Sequence, residues 1–190
     1  SLLGLGSAVT ELKSGTYVMT DANGLAYGFT SVSEDGVLQE GILDYKATSI
    51  ADDKKDDVKQ YIWKVTVTEN LGAYSYKFEN VATGKTLRVN TTAGSEAVEL
   101  NSAASGNVIK DVFAFGATQI GTTGKYTASE KALFAYNGNK SDVFQLKWSA
   151  GGSLISTTAS SFDLSFYAVE SEELGAVGAD ELNDLYNTAG

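Results

Sequence analysis

Hydrophobic and polar residues alternate along several short segments of the chain, and the clearest one runs from Tyr61 to Thr68. Its alternation places two sets of residues on opposite faces: Tyr61, Trp63, Val65 and Val67 on one, and Ile62, Lys64, Thr66 and Thr68 on the other. A period of two is typical of a strand with one face in the core and the other mostly in solvent. Clusters of Gly, Asn and Asp separate these segments and favour turns. The pattern therefore predicts an all-β fold.

An internal repeat is visible in the order of these segments. A Gly-x-Tyr tripeptide opens a strand three times, beginning at Gly15, Gly72 and Gly124. Each tripeptide is followed by a loop and a second short apolar strand, centred on Leu25, Leu87 and Leu133. A third, aromatic strand then ends each unit: Tyr61–Val67, Val112–Thr118 and Phe162–Val169. This period indicates three structural units of about 50 residues.

Three such units predict a β-trefoil. One unit cannot cover its own apolar face, whereas three units around an axis share one core and leave few sheet edges. We expect that core to contain large side chains from all three units: Tyr17, Leu25, Trp63, Tyr74, Leu87, Phe113, Tyr126, Leu133 and Phe166. A two-sheet β-sandwich with a similar number of strands is the alternative. The tripeptide Asp142-Val143-Phe144 copies Asp111-Val112-Phe113 and competes with the segment at Phe162 for the last strand of the third unit.

The segment from Asn80 to Lys85 (NVATGK) separates two alternating runs and predicts a hairpin turn. The letters Thr83-Gly84-Lys85-Thr86 also resemble the end of a Walker A phosphate loop. That motif needs another glycine five residues before Gly84, and a helix after it. Glu79 stands at that position. The sequence therefore favours turn chemistry over a phosphate site.

The Gly-x-Tyr strand, the Asn-x-x-Thr-Gly-Lys-x-Leu hairpin from Asn80 to Leu87 and the aromatic strand that follows resemble the repeat of ricin-type β-trefoil domains. They are also similar to trefoil-like N-terminal modules of secreted proteins from gut Bacteroidetes. The resemblance covers about Leu12 to Glu170 and implies a β-trefoil that binds carbohydrate. The Gln-x-Trp motif of the lectin members has two approximate counterparts, each one residue longer: Gln60–Trp63 and Gln145–Trp148.

The composition removes several kinds of chemistry. The 190 residues contain no Cys, His or Pro, which excludes thiol nucleophiles, Cys/His zinc sites and imidazole bases. A formal net charge of -10 disfavours nucleic acid and anionic membranes as partners, and no apolar run has the length of a membrane-spanning helix. The run Asp52–Asp57 carries four carboxylates without the ligand spacing of a calcium loop. We therefore expect neither a metal nor a cofactor.

Paired carboxylates are the remaining candidates for catalysis, because two of them held a few Å apart can hydrolyse a glycosidic bond. The acidic residues considered for such a pair lie on separate predicted elements with no motif linking them: Glu34, Asp35, Asp44 and Asp163. A serine triad would lack its histidine. The sequence therefore predicts a protein that is not an enzyme.

Two loops combine an aromatic ring with amide or carboxylate groups, the combination that stacks on a pyranose and binds its hydroxyls. The predicted ligand-binding residues in the third and first units are Tyr136, Asn137 and Asn139, and Asp21, Asn23 and Tyr27. The alternative is that Tyr136 ends a core strand and Asn137-Gly138 is only a turn.

These features predict the organisation of the chain: a lead-in over 1–11, a trefoil-like domain over 12–170, and an acidic linker or docking tail over 171–190 with a possible short helix through Leu182, Leu185 and Tyr186. We expect a non-enzymatic extracellular binding module, with carbohydrate as ligand, inside a larger secreted or cell-surface bacterial protein. The alternative is a structural or protein-interaction domain. The expected partners are a glycan or another protein, with no nucleic acid and no membrane insertion, and the module is expected to be monomeric.

Overall fold

The computed structural model describes residues 6–21, 24, 26, 58–91, 97–101, 108–116, 123–136, 144–148, 154–157 and 162–170. These residues form eleven strands: β1 (Gly15–Thr20), β2 (Ile62–Asn70), β3 (Ala73–Asn80), β4 (Thr86–Asn90), β5 (Ala97–Asn101), β6 (Ile109–Lys110), β7 (Val112–Phe115), β8 (Leu133–Tyr136), β9 (Phe144–Trp148), β10 (Leu154–Thr157) and β11 (Ser165–Ala168). The all-β prediction is confirmed. The described residues include no helix with the length and apolar character needed to span a membrane.

Six strands close on themselves. Antiparallel pairing connects them in the order β8-β7-β3-β2-β1-β11. An antiparallel bridge between Ala132 and Asp163 then joins the two ends of this path, and the Leu164 N–H donates to the Lys131 carbonyl at 3.1 Å beside it. We call these six strands the strand ring. Closure gives backbone partners to strands that would otherwise be sheet edges.

The order of strands in the ring follows the three predicted units. Neighbouring strands β1 and β2 come from the first unit, β3 and β7 from the second, and β11 and β8 from the third. Two strands per unit in cyclic order is the arrangement of a β-trefoil, and the described strands belong to one sheet rather than to the two sheets of a sandwich. The predicted fold class is confirmed.

The structure also decides between the two candidates for the last strand of the third unit. Strand β11 lies within Phe162–Val169 and pairs with β1, so the segment at Phe162 holds that position. Phe144 instead opens β9, which forms a hairpin with β10 and pairs with β8. The two phenylalanines of the repeated tripeptide, Phe113 and Phe144, therefore lie in strands with different places in the fold.

An aromatic cluster fills the interior of the strand ring. Seven rings contact one another there: Tyr17, Tyr76, Phe78, Phe113, Phe115, Tyr126 and Phe166. Phe166 touches rings from all three units, with centroid distances of 6.0 Å to Tyr17, 6.3 Å to Phe78 and 5.3 Å to Tyr126. Most of these pairs are edge to face, the geometry that the quadrupoles of aromatic rings favour.

Most of the predicted core residues are buried in this interior. Tyr17, Trp63, Leu87, Phe113, Tyr126, Leu133 and Phe166 belong to the main buried cluster. Tyr74 is half-buried and packs against it, while Leu25 lies outside the described residues. Chain from the predicted lead-in also reaches the core, because the Val9 N–H donates to the Phe166 carbonyl at 2.8 Å.

One assignment of faces was wrong. Ile62 was expected on the solvent side of β2, but it is fully buried. It belongs with Tyr61, which was expected beside Trp63, to a second buried cluster: Val18, Ala26, Val58, Tyr61, Ile62 and Val169. Val18 lies opposite Ile62 in the β1–β2 register. Both faces of the sheet are covered here, so the alternation of exposure begins only at Lys64.

A two-residue turn, Leu71-Gly72, connects β2 to β3. Both residues have positive φ, 51° at Leu71 and 81° at Gly72. That is the conformation of a type I′ hairpin turn, which favours Asn-Gly because a leucine side chain is strained there. The Leu71 side chain is fully exposed, so burial does not compensate the strain.

We therefore predict that Leu71→Asn stabilises the domain by about 0.5 to 1 kcal/mol, since asparagine tolerates positive φ and no packing is lost. Urea denaturation of the purified chain measures the free energy of unfolding. Leu71→Val is the matched control and should be less stable than the parent, because a β-branched residue is strained further at positive φ. A less stable Leu71→Asn variant would contradict the strain argument.

Tyr126 gives a prediction for alkaline pH. Its hydroxyl donates to the Leu164 carbonyl at 2.9 Å, and burial raises its pKa to about 12. The unfolded chain loses this proton near pH 10, so above that pH the unfolded state binds fewer protons than the folded state. The free energy of unfolding should therefore fall between about pH 10 and about 12. Chemical denaturation at a series of pH values should show that Tyr126→Phe flattens this fall and that Tyr74→Phe does not.

Candidate functional site

The ligand-binding residues predicted from the sequence lie mostly outside the described residues. That is the case for Asn23, Tyr27, Asn137 and Asn139. Asp21 directly follows β1, and its carbonyl accepts a hydrogen bond from the Gly24 N–H at 3.1 Å. Tyr136 is the last residue of β8, and its backbone lies opposite Val112. The binding role of these six residues stays a prediction.

The described residues do form a small open cavity on the outside of the strand ring. It has a volume of about 170 Å³ and opens on strands β2, β3 and β4. Its lining consists of Lys64, Thr66, Lys77, Phe78, Glu79 and Thr86. We call it the β2–β4 pocket. Since Phe78 is fully buried with its ring in the core, the side chains that face a ligand are the five polar ones.

The register of the strands puts these five side chains on one face. Lys64 lies opposite Glu79 and Thr66 lies opposite Lys77 in the β2–β3 ladder. Thr86 of β4 lies opposite Glu79 on its other side. Directly opposed residues have Cβ atoms about 5 Å apart, and diagonal neighbours are about 7 to 8 Å apart. The two lysines therefore occupy a diagonal of the β2–β3 ladder.

Asn80 holds the turn that places Thr86 beside the pocket. Its side-chain oxygen accepts a hydrogen bond from the Thr83 N–H at 3.2 Å, and its amide donates to the Gln60 carbonyl at 2.8 Å. The Gly84 N–H donates to the Asn80 carbonyl at 2.8 Å, and Gly84 has a φ of 66°. The segment that resembled a phosphate loop is therefore a hairpin turn, as predicted.

One lining residue of the pocket, Lys77, is also paired with a buried carboxylate. The Lys77 ammonium is 3.7 Å from Oδ2 of Asp111, whose side chain is 2% exposed. The other oxygen, Oδ1, has no hydrogen-bond partner among the described residues. A buried carboxylate without an ion-pair partner is strongly unfavourable. Lys77 is therefore required for the stability of this region, whether or not it also contacts a ligand.

The pocket offers both kinds of hydrogen-bonding group. The lysine ammonium groups donate, the Glu79 carboxylate accepts, and the threonine hydroxyls do either. One carboxylate lines the pocket within the described part of the chain, whereas glycoside hydrolysis uses two. The arrangement can bind a small, highly hydroxylated molecule.

Sequence reasoning missed this pocket. Alternation predicts that Lys64 and Thr66 lie on the outer face of β2, but it does not show which residues of β2 and β3 lie opposite each other. That register is set by the two-residue turn at Leu71-Gly72. The sequence signal for this register is the Asn-Leu-Gly-Ala segment at positions 70–73, which stands between two alternating runs.

Comparison with known proteins finds structural similarity but no sequence family. No protein-family model matches the chain. No curated protein matches it either. The chain is similar to the solved structure of a designed threefold-symmetric protein, ThreeFoil, with a TM-score of 0.44 and a sequence identity of 15%. The alignment covers 79% of this chain and 97% of that one.

The Lys77–Asp111 ion pair leads to a prediction about stability. Lys77→Met removes the ammonium group next to buried Asp111 and should lower the free energy of unfolding by about 1 to 3 kcal/mol. Lys64→Met is the matched control, because Lys64 lies on the same face without an ion pair among the described residues, and it should cost under about 0.5 kcal/mol.

Denaturation of Asp111→Asn and of the double variant Lys77→Met/Asp111→Asn completes a double-mutant cycle, and the double variant is the informative member. It should be more stable than Lys77→Met alone, because the unpaired charge has been removed. Equal costs for Lys77→Met and Lys64→Met would show that the Lys77–Asp111 pair contributes nothing.

Proposed function

We propose that the domain is a non-enzymatic carbohydrate-binding module of a secreted or cell-surface bacterial protein, and that the β2–β4 pocket is one of its sugar sites. The observation that supports it is a pocket of about 170 Å³ with five polar side chains in its lining, all of them on strands β2, β3 and β4 rather than on loops. Pockets for drug-sized ligands have volumes of about 300 to 1,000 Å³. A single monosaccharide unit is the size of ligand that suits this pocket.

The chemistry of the lining agrees with a sugar. Vicinal hydroxyls both donate and accept hydrogen bonds, and Thr66, Glu79 and Thr86 present both functions within reach of one ring. Strand positions fix these groups in space, so a ligand does not have to order them on binding. The β-trefoil fold itself hosts many functions and is no argument for this one.

The sequence adds support of a different kind. The repeat resembles those of ricin-type trefoils and of N-terminal modules of gut Bacteroidetes proteins, and in such modules shallow sites bind single sugars weakly. Several weak sites acting together would supply the useful affinity, so the loops at Tyr136 and at Asp21 remain candidates for further sites. This proposal makes the domain one monomeric part of a longer chain, with a glycan as partner.

Binding to multivalent glycans tests the proposal. A glycan array probed with clustered protein should give a signal that Thr66→Val weakens by about three- to tenfold, the expected loss for one neutral hydrogen bond. Thr68→Val is the matched control, because Thr68 is the next outward residue of β2 and does not line the pocket.

The control should bind as the parent does. Absence of any glycan signal at high protein concentration would refute the proposed function. Equal losses for Thr66→Val and Thr68→Val would keep carbohydrate binding but remove it from the β2–β4 pocket.

A protein-interaction role is the second candidate, and Leu71 is the observation that favours it. A fully exposed leucine with strained backbone at a hairpin tip has no use in the isolated domain. Such a side chain inserts readily into an apolar pocket of another protein. If glycans do not bind and Leu71→Asn changes the association state of the chain in sedimentation experiments, this function replaces the first.

A further inference from the structure

The charges of the β2–β4 pocket are unusual for this chain. Acidic residues outnumber basic ones by 24 to 14, yet two of the five polar side chains in the lining are lysines. Lys77 is engaged with the carboxylate of Asp111. The Lys64 ammonium has neither an ion pair nor a hydrogen bond among the residues that the structure describes. A partly buried lysine without a partner is a positive charge available to a ligand.

Glu79 limits which anions this charge can attract. It lies directly opposite Lys64 and lines the same pocket. Taken together, Lys64, Lys77, Glu79 and Asp111 have a formal charge near zero. An inorganic dianion has no proton to donate to the Glu79 carboxylate, so this carboxylate repels it. A ligand with one negative charge and several hydroxyls can instead donate hydroxyl protons to Glu79.

We propose that the sugar bound in this pocket is a sugar acid, a monosaccharide unit that carries one carboxylate. Its carboxylate contacts the Lys64 ammonium, and its hydroxyls bond to Glu79 and the threonines. Lys77 lies on the diagonal from Lys64 and closes the far side of the carboxylate while it remains next to Asp111. This inference rests on the proposed function and specifies the ligand of the same site.

Titration experiments can distinguish a sugar-acid site from a site for neutral sugars and from a site for simple anions. Glucuronic and galacturonic acid, their neutral parents glucose and galactose, and inorganic sulfate are titrated into the ¹⁵N-labelled chain and followed by NMR. The uronic acids should bind at least about tenfold more tightly than the neutral sugars, the effect of one charge-assisted hydrogen bond. Sulfate should bind more weakly than the uronic acids.

Substitutions in the lining should change these preferences in opposite directions. Lys64→Gln should reduce the preference for the uronic acid over its neutral parent to about onefold, and Lys64→Arg should restore it. Glu79→Gln should strengthen sulfate binding several-fold, because the repelling carboxylate is gone. Lys85→Gln is the control, since Lys85 is an exposed lysine next to Thr86 outside the pocket lining, and its preference should equal that of the parent.

The outcomes separate the two proposals. Equal binding of uronic acids and neutral sugars, with no effect of Lys64→Gln, would overturn the sugar-acid inference and leave carbohydrate binding intact. Failure of every sugar to shift any resonance of the chain would overturn both, whereas shifts confined to resonances outside the pocket would overturn the sugar-acid inference and move carbohydrate binding to another site. Tighter binding of sulfate than of the uronic acids would show a simple anion site and also refute the inference. Circular dichroism of each variant confirms that the comparison is made on folded protein.

Discussion

The contact of aromatic rings from three distant parts of the chain is the interaction on which the rest of this structure depends. Phe166 comes near the end of the described residues, yet it touches Tyr17 at the beginning and Phe115 in the middle, the latter at 5.8 Å. No single unit has enough apolar surface to bury such rings by itself. The strand ring is closed around this cluster, so that strands cover the rings on every side. Pocket, turns and outer faces are all positioned by that closure.

Much of this fold could be predicted from the sequence because its physical causes are local. Alternation identified β2, β3 and β4, the recurring tyrosines identified the units, and the glycine and asparagine of the Asn80–Lys85 turn identified a hairpin. Ile62 could not be assigned from alternation, because a strand covered on both faces has no polar side to mark it. The pocket could not be found either, since it depends on which residues of two strands lie opposite each other. The predicted loop sites at Tyr136 and Asp21 were inferred from composition alone, and composition does not specify geometry.

Lys77 links the stability of the domain to its surface chemistry. Its ammonium compensates the buried carboxylate of Asp111, and the same group lies at the wall of the pocket. Oδ1 of Asp111 has no hydrogen-bond partner among the residues that the structure describes, so within that part of the chain the compensation is incomplete. An incompletely compensated buried charge is a local departure from optimal folding, and such departures are expected at functional or strained sites.

The location of the pocket within the repeats has an evolutionary consequence. All of its lining residues come from the short stretch of chain between Lys64 and Thr86, at the junction of the first and second units. The aromatic cluster, in contrast, draws on all three units. Each of the three units must supply rings for this interior. Outward-facing positions are free of that constraint, so the stretch between Lys64 and Thr86 can change its surface while its inward-facing residues, such as Phe78, still hold the domain together.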